Sequence, residues 1–171
     1  ASIGLAVRNF ARAGAEVVVG PGTYREGQIS VRSGIPSGSY LIRADPSGRR
    51  TGELPGNVRV IAECGSGPCD TGFFIQGNCA VRLEGFQVTG SREAGIFVGD
   101  RSDDTVVAHN EVFDNLQRGI QVVNAQRARI FNNLVYDNGS SGSGGGIQLG
   151  GRCPELEPLC ATAGARDGVV T

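Results

Sequence analysis

Two aspartates at matching positions give the chain an arrangement suited to acid–base chemistry. Asp114 and Asp137 each precede an asparagine and are 23 residues apart, one step of a repeat that runs through the chain. If one step is one turn of a stacked coil, the two carboxylates lie about 4.8 Å apart. That is near the roughly 5 to 5.5 Å that separates the carboxyl groups of retaining glycosidases. A hydrolytic pair is one interpretation; turn residues imposed by the repeat are the other, and we prefer it.

A second acidic group follows Gly99. Its carboxylate oxygens are hard ligands of the kind that Ca²⁺ takes in proteins, although their spacing is not that of an EF-hand. Acidic turn residues facing solvent are the alternative that we favour. The single histidine, His109, has no second histidine or cysteine at metal-ligand spacing, so we expect a turn residue there. The candidate metal ligands are Asp100, Asp103 and Asp104.

Four copies of a glycine that opens a short strand define the repeat. These glycines are spaced by 23, 24 and 27 residues, and three further sets of positions repeat with steps of 24 and 23. The longer last step falls at residues 139–145, all glycine or serine, which indicates a loop insertion. Such self-similarity is typical of a solenoid, with regular coils predicted over residues 72–151. The glycines are Gly72, Gly95, Gly119 and Gly146; the other sets are Leu83, Val107 and Ile130, then Phe86, Asn110 and Asn133, then Val88, Val112 and Val135.

The pattern inside one period indicates which solenoid this is. Apolar residues alternate with others and many are β-branched, whereas the 3.6-residue spacing of helical repeats is missing. About 23 residues hold three short strands and three turns, one circuit of a parallel β-helix whose strands stack about 4.8 Å apart. We therefore predict an all-β fold, a single-stranded parallel β-helix with three strands per coil. Asn110 and Asn133 fall in the same turn of successive coils, which predicts a side-chain amide ladder.

One strand of each coil offers a candidate binding face. With Ile96, Ile120 and Ile147 turned inward, strand alternation turns the residues between them outward. Aromatic rings can stack on sugar faces, and amides can bond hydroxyls along an extended chain. The alternative is a flat sheet face whose phenylalanines are shielded by a neighbouring loop. The residues predicted to face outward are Phe74, Phe97, Gln121 and Gln148.

Composition and cysteine usage restrict the class of protein. The 171 residues suit one domain with a continuous core, and 28 glycines suit many tight turns. A net charge of −1 gives no support for a nucleic-acid partner, and no apolar run approaches the length of a membrane span. Five cysteines favour an exported protein, secreted, periplasmic or on the cell surface. Cys64 with Cys69, and Cys153 with Cys160, each bracket a small loop that we expect a disulfide to close, and Cys79 is expected to be a buried apolar residue.

The N-terminal region resembles a known family. Residues 1–14 are predicted to form a capping helix with Ser2 as its N-cap and with Ile3, Val7 and Phe10 on one face. A strand and a Pro-Gly-Thr-Tyr turn follow within residues 14–24, then extended segments at 29–34 and 40–44. This arrangement resembles the entry to pectin-lyase-like right-handed parallel β-helix proteins.

That resemblance implies a right-handed coil and a groove along one stacked strand face, with a polysaccharide or oligosaccharide as partner. Lyases of this fold use acidic Ca²⁺ ligands and a basic side chain that takes the α-proton. Asp100, Asp103 and Asp104 are the candidates for Ca²⁺, and Arg118 or Arg101 for the proton acceptor or a carboxylate clamp. Both arginines are also ordinary candidates for surface ion pairs. The superfamily includes lyases, hydrolases, epimerases and proteins without known catalysis, so the resemblance selects no activity.

Three functions stay open at this point. The first is an exported enzyme that cleaves an acidic polysaccharide by elimination or hydrolysis, and the second is a non-catalytic module that binds glycan or supports assembly. The third is a structural segment of a larger solenoid. Residues 152–166 are expected to form a loop before a last, uncapped coil. We therefore expect either truncation at that end or end-to-end association of two copies through it.

Overall fold

The chain winds repeatedly through three parallel sheets. A computed structural model describes residues 2–10, 12–32, 39–77, 80–142, 144–150 and 169–170. Each circuit contributes one strand to sheet A, one to sheet B and one to sheet C, always in that order. The described residues contain five circuits, and β18 begins another in sheet A. The predicted parallel β-helix with three strands per coil is confirmed.

The strands are numbered in chain order. Sheet A contains β1 (Glu16–Val19), β4 (Ser39–Ala44), β9 (Ala80–Glu84), β12 (Val106–Ala108), β15 (Arg129–Phe131) and β18 (Val169–Val170). Sheet B contains β2 (Gly22–Arg25), β5 (Val58–Ile61), β10 (Gln87–Thr89), β13 (Glu111–Phe113) and β16 (Leu134–Tyr136). Sheet C contains β3 (Ile29–Arg32), β8 (Thr71–Gln76), β11 (Ala94–Val98), β14 (Arg118–Val122) and β17 (Gly145–Leu149). A small antiparallel hairpin, β6 (Glu63–Cys64) and β7 (Gly67–Pro68), projects between β5 and β8.

Strand register reproduces the sequence repeat. Val107 pairs with Leu83 on one side and with Ile130 on the other, as the steps of 24 and 23 predict. Val112 pairs in the same way with Val88 and Val135. The second coil is longer because the polar turn at residues 45–57 and the β6–β7 hairpin are both inserted between its strands. The regular region therefore begins where the repeat becomes visible in the sequence.

The core is a continuous column of inward side chains. Residues such as Ile75, Leu83, Ile96 and Ile120 are completely buried. Each aliphatic side chain of this size contributes roughly 1.5 to 3 kcal/mol when it is fully buried. Stacking of like residues from coil to coil thus supplies most of the stabilisation, and it holds the outward residues of the same strands in line.

A short helix covers the first coil. It spans Ile3–Phe10, which is shorter than the predicted 1–14, and buries Ile3 and Val7 while Phe10 is 62% exposed. Ser2 is the N-cap as predicted, since its Oγ accepts the Leu5 amide at 3.2 Å. The carboxylate of Glu26 adds a cap that the sequence did not suggest, accepting the amides of Ile3 at 2.5 Å and Gly4 at 3.1 Å. This helix, α1, contacts β1 and β3.

An acidic residue is held on the outer face of sheet A by two arginines. Glu84 accepts hydrogen bonds from Arg43 Nε at 2.6 Å and Arg82 Nε at 2.5 Å, and its side chain is only 11% exposed. Burial alone raises the pKa of Glu84, but the hydrogen bonds outweigh it and the pKa lies below its usual 4.5. The ionised carboxylate of Glu84 is therefore the form that stabilises the fold.

Replacing Glu84 by glutamine is expected to lower the free energy of unfolding by about 2 kcal/mol at neutral pH. A lowered folded-state pKa means that the carboxylate stabilises the fold above pH 4.5 and loses this effect as the pH falls through the folded-state value. Urea unfolding of wild type and Glu84→Gln at about pH 7 and about pH 3 measures this. The difference in free energy of unfolding between wild type and Glu84→Gln should be smaller at the lower pH. Glu93→Gln, at an exposed glutamate, is the control, and a gap that is equally wide at both pH values contradicts the prediction.

Candidate functional site

The outer face of sheet C carries one continuous row of side chains. The strand registers place Ser30 beside Phe74, Phe74 beside Phe97, and Phe97 beside Gln121. Gln148 continues the row beyond Gln121. The inward residues beside this row, Ile96 and Ile120, are fully buried, so the predicted alternation is confirmed. In the last described coil, Ile147 is 36% exposed. We call these five outward residues the sheet C row; it spans about 19 Å at about 4.8 Å per strand.

The two phenylalanines of the row stack on each other. Their ring centroids are 5.1 Å apart and their planes differ by 6°, within the offset-stacked range. The Phe97 ring also lies so close to Gly99 that a Cβ there would collide with it. Part of each ring face is thus occupied by protein, and stacking of these rings on sugar faces stays a prediction. A ligand on this face meets the ring edges and the uncovered part of the faces.

The two glutamines of the row are joined by a hydrogen bond. Gln121 Nε2 donates to Gln148 Oε1 at 3.0 Å. The bond uses one donor and one acceptor, while each primary amide has two N–H donors and two carbonyl lone pairs. Since Gln121 is half-buried and Gln148 exposed, this pair can bond to ligand hydroxyls while it holds its own geometry.

Close packing at the start of the sheet C strands explains three of the four repeated glycines, Gly72, Gly95 and Gly119. A Cβ on Gly95 would lie 2.6 Å from Val112 Cγ1 and 2.8 Å from Asn115 Nδ2. A Cβ on Gly72 would lie 2.6 Å from Val88 Cγ1. The strongest repeat signal in the sequence therefore marks the place where sheet B packs against sheet C, and the glycine itself does no chemistry.

Two asparagine ladders hold the corners of the coils. Asn110 Nδ2 donates to Asn133 Oδ1 at 3.1 Å, as predicted. A second ladder, which the sequence reasoning missed, joins Asn115 Nδ2 to Asn138 Oδ1 at 2.9 Å, and Asn115 Oδ1 accepts the backbone amide and hydroxyl of Ser91. The steps of 24 and 23 from Ser91 to Asn115 to Asn138 were the signal that could have revealed it. This second ladder fixes the turn that enters sheet C.

The acidic group after β11 bonds to the turn of the next coil. Asp100 Oδ1 accepts a hydrogen bond from Asn124 Nδ2 at 2.8 Å, and Asp103 Oδ1 accepts one from the backbone N–H of Gln126 at 2.8 Å. Asp104 pairs with Arg127 through two hydrogen bonds of 2.7 and 2.8 Å. The hydrogen bond from Arg127 lowers the pKa of Asp104. Across the described residues, no three histidine, cysteine, aspartate or glutamate side chains are grouped to hold a metal ion. Calcium binding here stays a prediction.

The aspartate pair occupies equivalent turns with unusual backbone geometry. Asp114 and Asp137 have φ values of 51° and 50° and are exposed. Aspartate and asparagine adopt this left-handed conformation more readily than most residues. The turns that carry them lead into β14 and β17, so both aspartates lie along the same border of sheet C. Turn geometry accounts for the residue type, and the carboxylates remain available for chemistry.

Arg118 lines a depression at the end of the row. Arg118 opens β14 and lines a shallow depression of about 310 Å³ together with Gln148 and the glycines 144–146. Its Nη1 donates to Gln117 Oε1 at 2.8 Å, while its buried Nε has no hydrogen-bond partner among the described residues. Arg101, at φ 60° in the turn after β11, is exposed. Arg118 thus shares a depression with Gln148, the last residue of the row.

One predicted disulfide is present. Cys64 and Cys69 are bonded across the β6–β7 hairpin, with their Cα atoms 5.1 Å apart. Cys69 is buried against Gly27, where a Cβ would collide with its Sγ. Cys79, Cys153 and Cys160, and the predicted loop at 152–166, lie outside the described residues, as does most of the chain invoked for end-to-end association.

A second aromatic pair, on the outer face of sheet B, was not foreseen. Phe113 and Tyr136 stack with centroids 5.2 Å apart and planes 5° apart, and the Arg59 guanidinium lies 5.7 Å from the Phe113 centroid. Tyr136 donates to Glu111 Oε1 at 2.7 Å, and this bond raises the pKa of Tyr136. The 23-residue step between the two rings was the available signal. On the outer faces of both sheet B and sheet C, aromatic residues of successive coils thus stack on each other in register.

Comparisons with known proteins agree with the fold. A family model described as a right handed beta helix region matches residues 56–158, more than half of the chain. Neither the curated proteins nor the solved structures searched gave a match. Within the described residues, no helix is long and apolar enough to cross a membrane.

Proposed function

The chain belongs to the right-handed β-helix family, and from that premise we propose that it binds an acidic polysaccharide along the sheet C row. The observation that carries the proposal is the unbroken register from Ser30 to Gln148, in which every strand of the sheet contributes one outward residue. Such a straight, evenly spaced row suits an extended polymer. It suits a compact ligand less well, because a compact ligand would contact only two or three of the strands.

The chemistry of the row supports a carbohydrate. Sugars present C–H groups and hydroxyls in alternation, and the row offers an apolar half, Phe74 with Phe97, and an amide half, Gln121 with Gln148. Hydrogen bonds from amides to hydroxyls orient the chain, while contact with the rings removes apolar surface from water. The ligand therefore spans both halves.

Arg118 supports an acidic polymer. A guanidinium presents several N–H donors in a planar fork that matches a carboxylate. Arg118 shares its depression with Gln148, so a uronate carboxylate bound there would place its sugar ring beside the amide half of the row. The positive charge of the guanidinium adds electrostatic attraction for that carboxylate.

Replacing Phe97 or Gln121 by alanine is expected to weaken binding about tenfold, because each loses roughly 1 to 1.5 kcal/mol of contact. Titration calorimetry with polygalacturonate and alginate as acidic ligands, and with a neutral glucan for comparison, measures this. Gln87→Ala is the matched control, since Gln87 is also a half-buried outward glutamine but lies on sheet B. Unchanged affinity in Phe97→Ala and Gln121→Ala, or equal loss in Gln87→Ala, contradicts the proposal.

Cleavage of the same polymer is the second candidate, and it is favoured by the exposed aspartates that border the row. Asp114 and Asp137 occupy equivalent turns one coil apart, a spacing compatible with a retaining carboxylate pair. Elimination would give an unsaturated product that absorbs in the ultraviolet, and hydrolysis would give new reducing ends. Assays with and without chelator separate a calcium-dependent reaction involving Asp100, Asp103 and Asp104 from a metal-independent one. Asp114→Asn should abolish hydrolysis and leave binding intact.

Export completes the proposal. The Cys64–Cys69 disulfide supports an oxidising compartment, since such bonds are rare where thiols are kept reduced. Secretion, periplasmic location and surface display are all compatible with a ligand that is itself extracellular. Fractionation of producing cells, with thiol labelling of the protein in each fraction, tests this point.

A further inference from the structure

The N-terminal end of the sheet C row meets a concave site that the proposed function leaves unassigned. Strand β3 is the terminal strand of sheet C, and α1 packs against it. Between them is a depression of about 370 Å³. Ser30, the first residue of the row, lines it, together with Gln28 on the strand side and Leu5 and Arg8 on the helix side. The row and the depression are thus continuous.

The hydroxyl of Ser30 lacks a hydrogen-bond partner among the described residues. Its Oγ is buried. Leaving a buried polar group unpaired is unfavourable, and a ligand hydroxyl or carboxylate in the depression can supply the missing bond. Ser30 is therefore the member of the row whose side chain gains most from a bound ligand.

The wall opposite Ser30 is held firmly in place. Glu26 accepts hydrogen bonds from Ser2 Oγ and from the amides of Ile3 and Gly4, which ties the first turn of α1 to the chain just before β3. The negative charge of Glu26 is thereby committed to the helix N-terminus. The exposed groups left to a ligand are the cation of Arg8, the amide of Gln28 and the apolar side chain of Leu5, which is 55% exposed.

We propose that α1 closes the sheet C row at this end, and that the depression holds the terminal sugar of the bound acidic chain. This inference rests on the proposed function and adds its mode: the protein recognises the end of a polysaccharide. A carboxylate of the terminal sugar pairs with Arg8, a hydroxyl bonds Ser30, and the ring packs against Leu5. The rest of the chain then runs along the row toward Gln148.

Binding stoichiometry tests this mode directly. Uronate oligomers of graded length, up to the full polymer, are titrated with the protein, and bound mass is followed by analytical ultracentrifugation. Recognition of chain ends gives one protein per chain at every length, whereas a row open at both ends gives a number that grows with length. Growth with length overturns the inference.

Variants at the depression give an independent readout. Ser30→Ala removes an unpartnered hydroxyl, so folding should be unaffected while affinity for oligomers falls about fivefold to tenfold; Arg8→Ala should act similarly. Thr89→Ala, at an outward hydroxyl on sheet B, is the control. If wild type binds no uronate chain, the proposed function fails and this inference with it. If binding depends on Phe97 and Gln121 but not on Ser30 or Arg8, only the closed-end mode is overturned.

Discussion

Replacing Gly95 by alanine is expected to destabilise the protein by about 3 kcal/mol or more, at or above the upper end of the usual cost of overpacking. The new methyl group would lie 2.6 Å from Val112 Cγ1, 2.8 Å from Asn115 Nδ2 and 3.0 Å from the Gly119 carbonyl oxygen. Neither the backbone carbonyl nor the buried ladder amide can retreat without breaking a contact between coils. Thermal and urea unfolding of the purified variant measure the loss.

Gly67→Ala is the matched control for this experiment. Gly67 lies in the β6–β7 hairpin, and a Cβ there meets no atom within 4 Å. Its stability should stay within about 0.5 kcal/mol of wild type, as for most surface substitutions. Equal stability of Gly95→Ala and Gly67→Ala would show that the start of the sheet C strand can relax, and would remove the steric explanation of the repeat.

Replacing Asn115 by alanine is expected to cost about 3 kcal/mol or more, which corresponds to a fall in melting temperature of about 10 °C for a chain of this size. Asn115 is fully buried. Its amide donates to the carbonyls of Val88 and Phe113 and to Asn138 Oδ1, and its oxygen accepts both donors of Ser91. Alanine removes all of these bonds, and each buried group that is left unpaired costs about 1 to 3 kcal/mol.

Asn57→Ala provides the comparison for Asn115→Ala, because Asn57 is exposed and contributes a backbone carbonyl to the bond with Gly22. Calorimetry of both variants should show a clearly lower melting temperature for Asn115→Ala alone. Since the ladder fixes the turn that enters sheet C, ligand affinity should fall as well. A melting temperature for Asn115→Ala equal to that of Asn57→Ala would mean that the corner is held by the backbone alone.

The regular coils were predictable because equivalent residues of successive repeat units lie in the same environment. A residue such as Ile120 has its counterparts one coil before and after in the sequence, so the repeat length and the inward face follow from spacing alone. The outward positions of Phe97 and Gln121 follow from the same alternation. The Asn110–Asn133 ladder was predictable for the same reason.

Contacts within the repeat that depend on side-chain orientation were less predictable. Spacing placed Phe74 beside Phe97 but did not show that the rings would stack on each other. The second ladder, which joins Ser91, Asn115 and Asn138, was missed although its steps of 24 and 23 match those of the first. The pairing of Asp104 with Arg127 of the next coil was also not predicted, and calcium binding by Asp104 stays a prediction.

By itself, the sequence determined the solenoid, its three strands per coil, the inward and outward faces of sheet C and one disulfide, since all of these depend on local alternation, on a fixed period or on cysteines close in the chain. The tertiary structure alone decided the depression between α1 and β3, the capping of α1 by Glu26 and the register of the longer second coil. These features join segments that occur once and have no counterpart in another coil. Their geometry is set by packing between distant parts of the chain, which no periodic signal encodes.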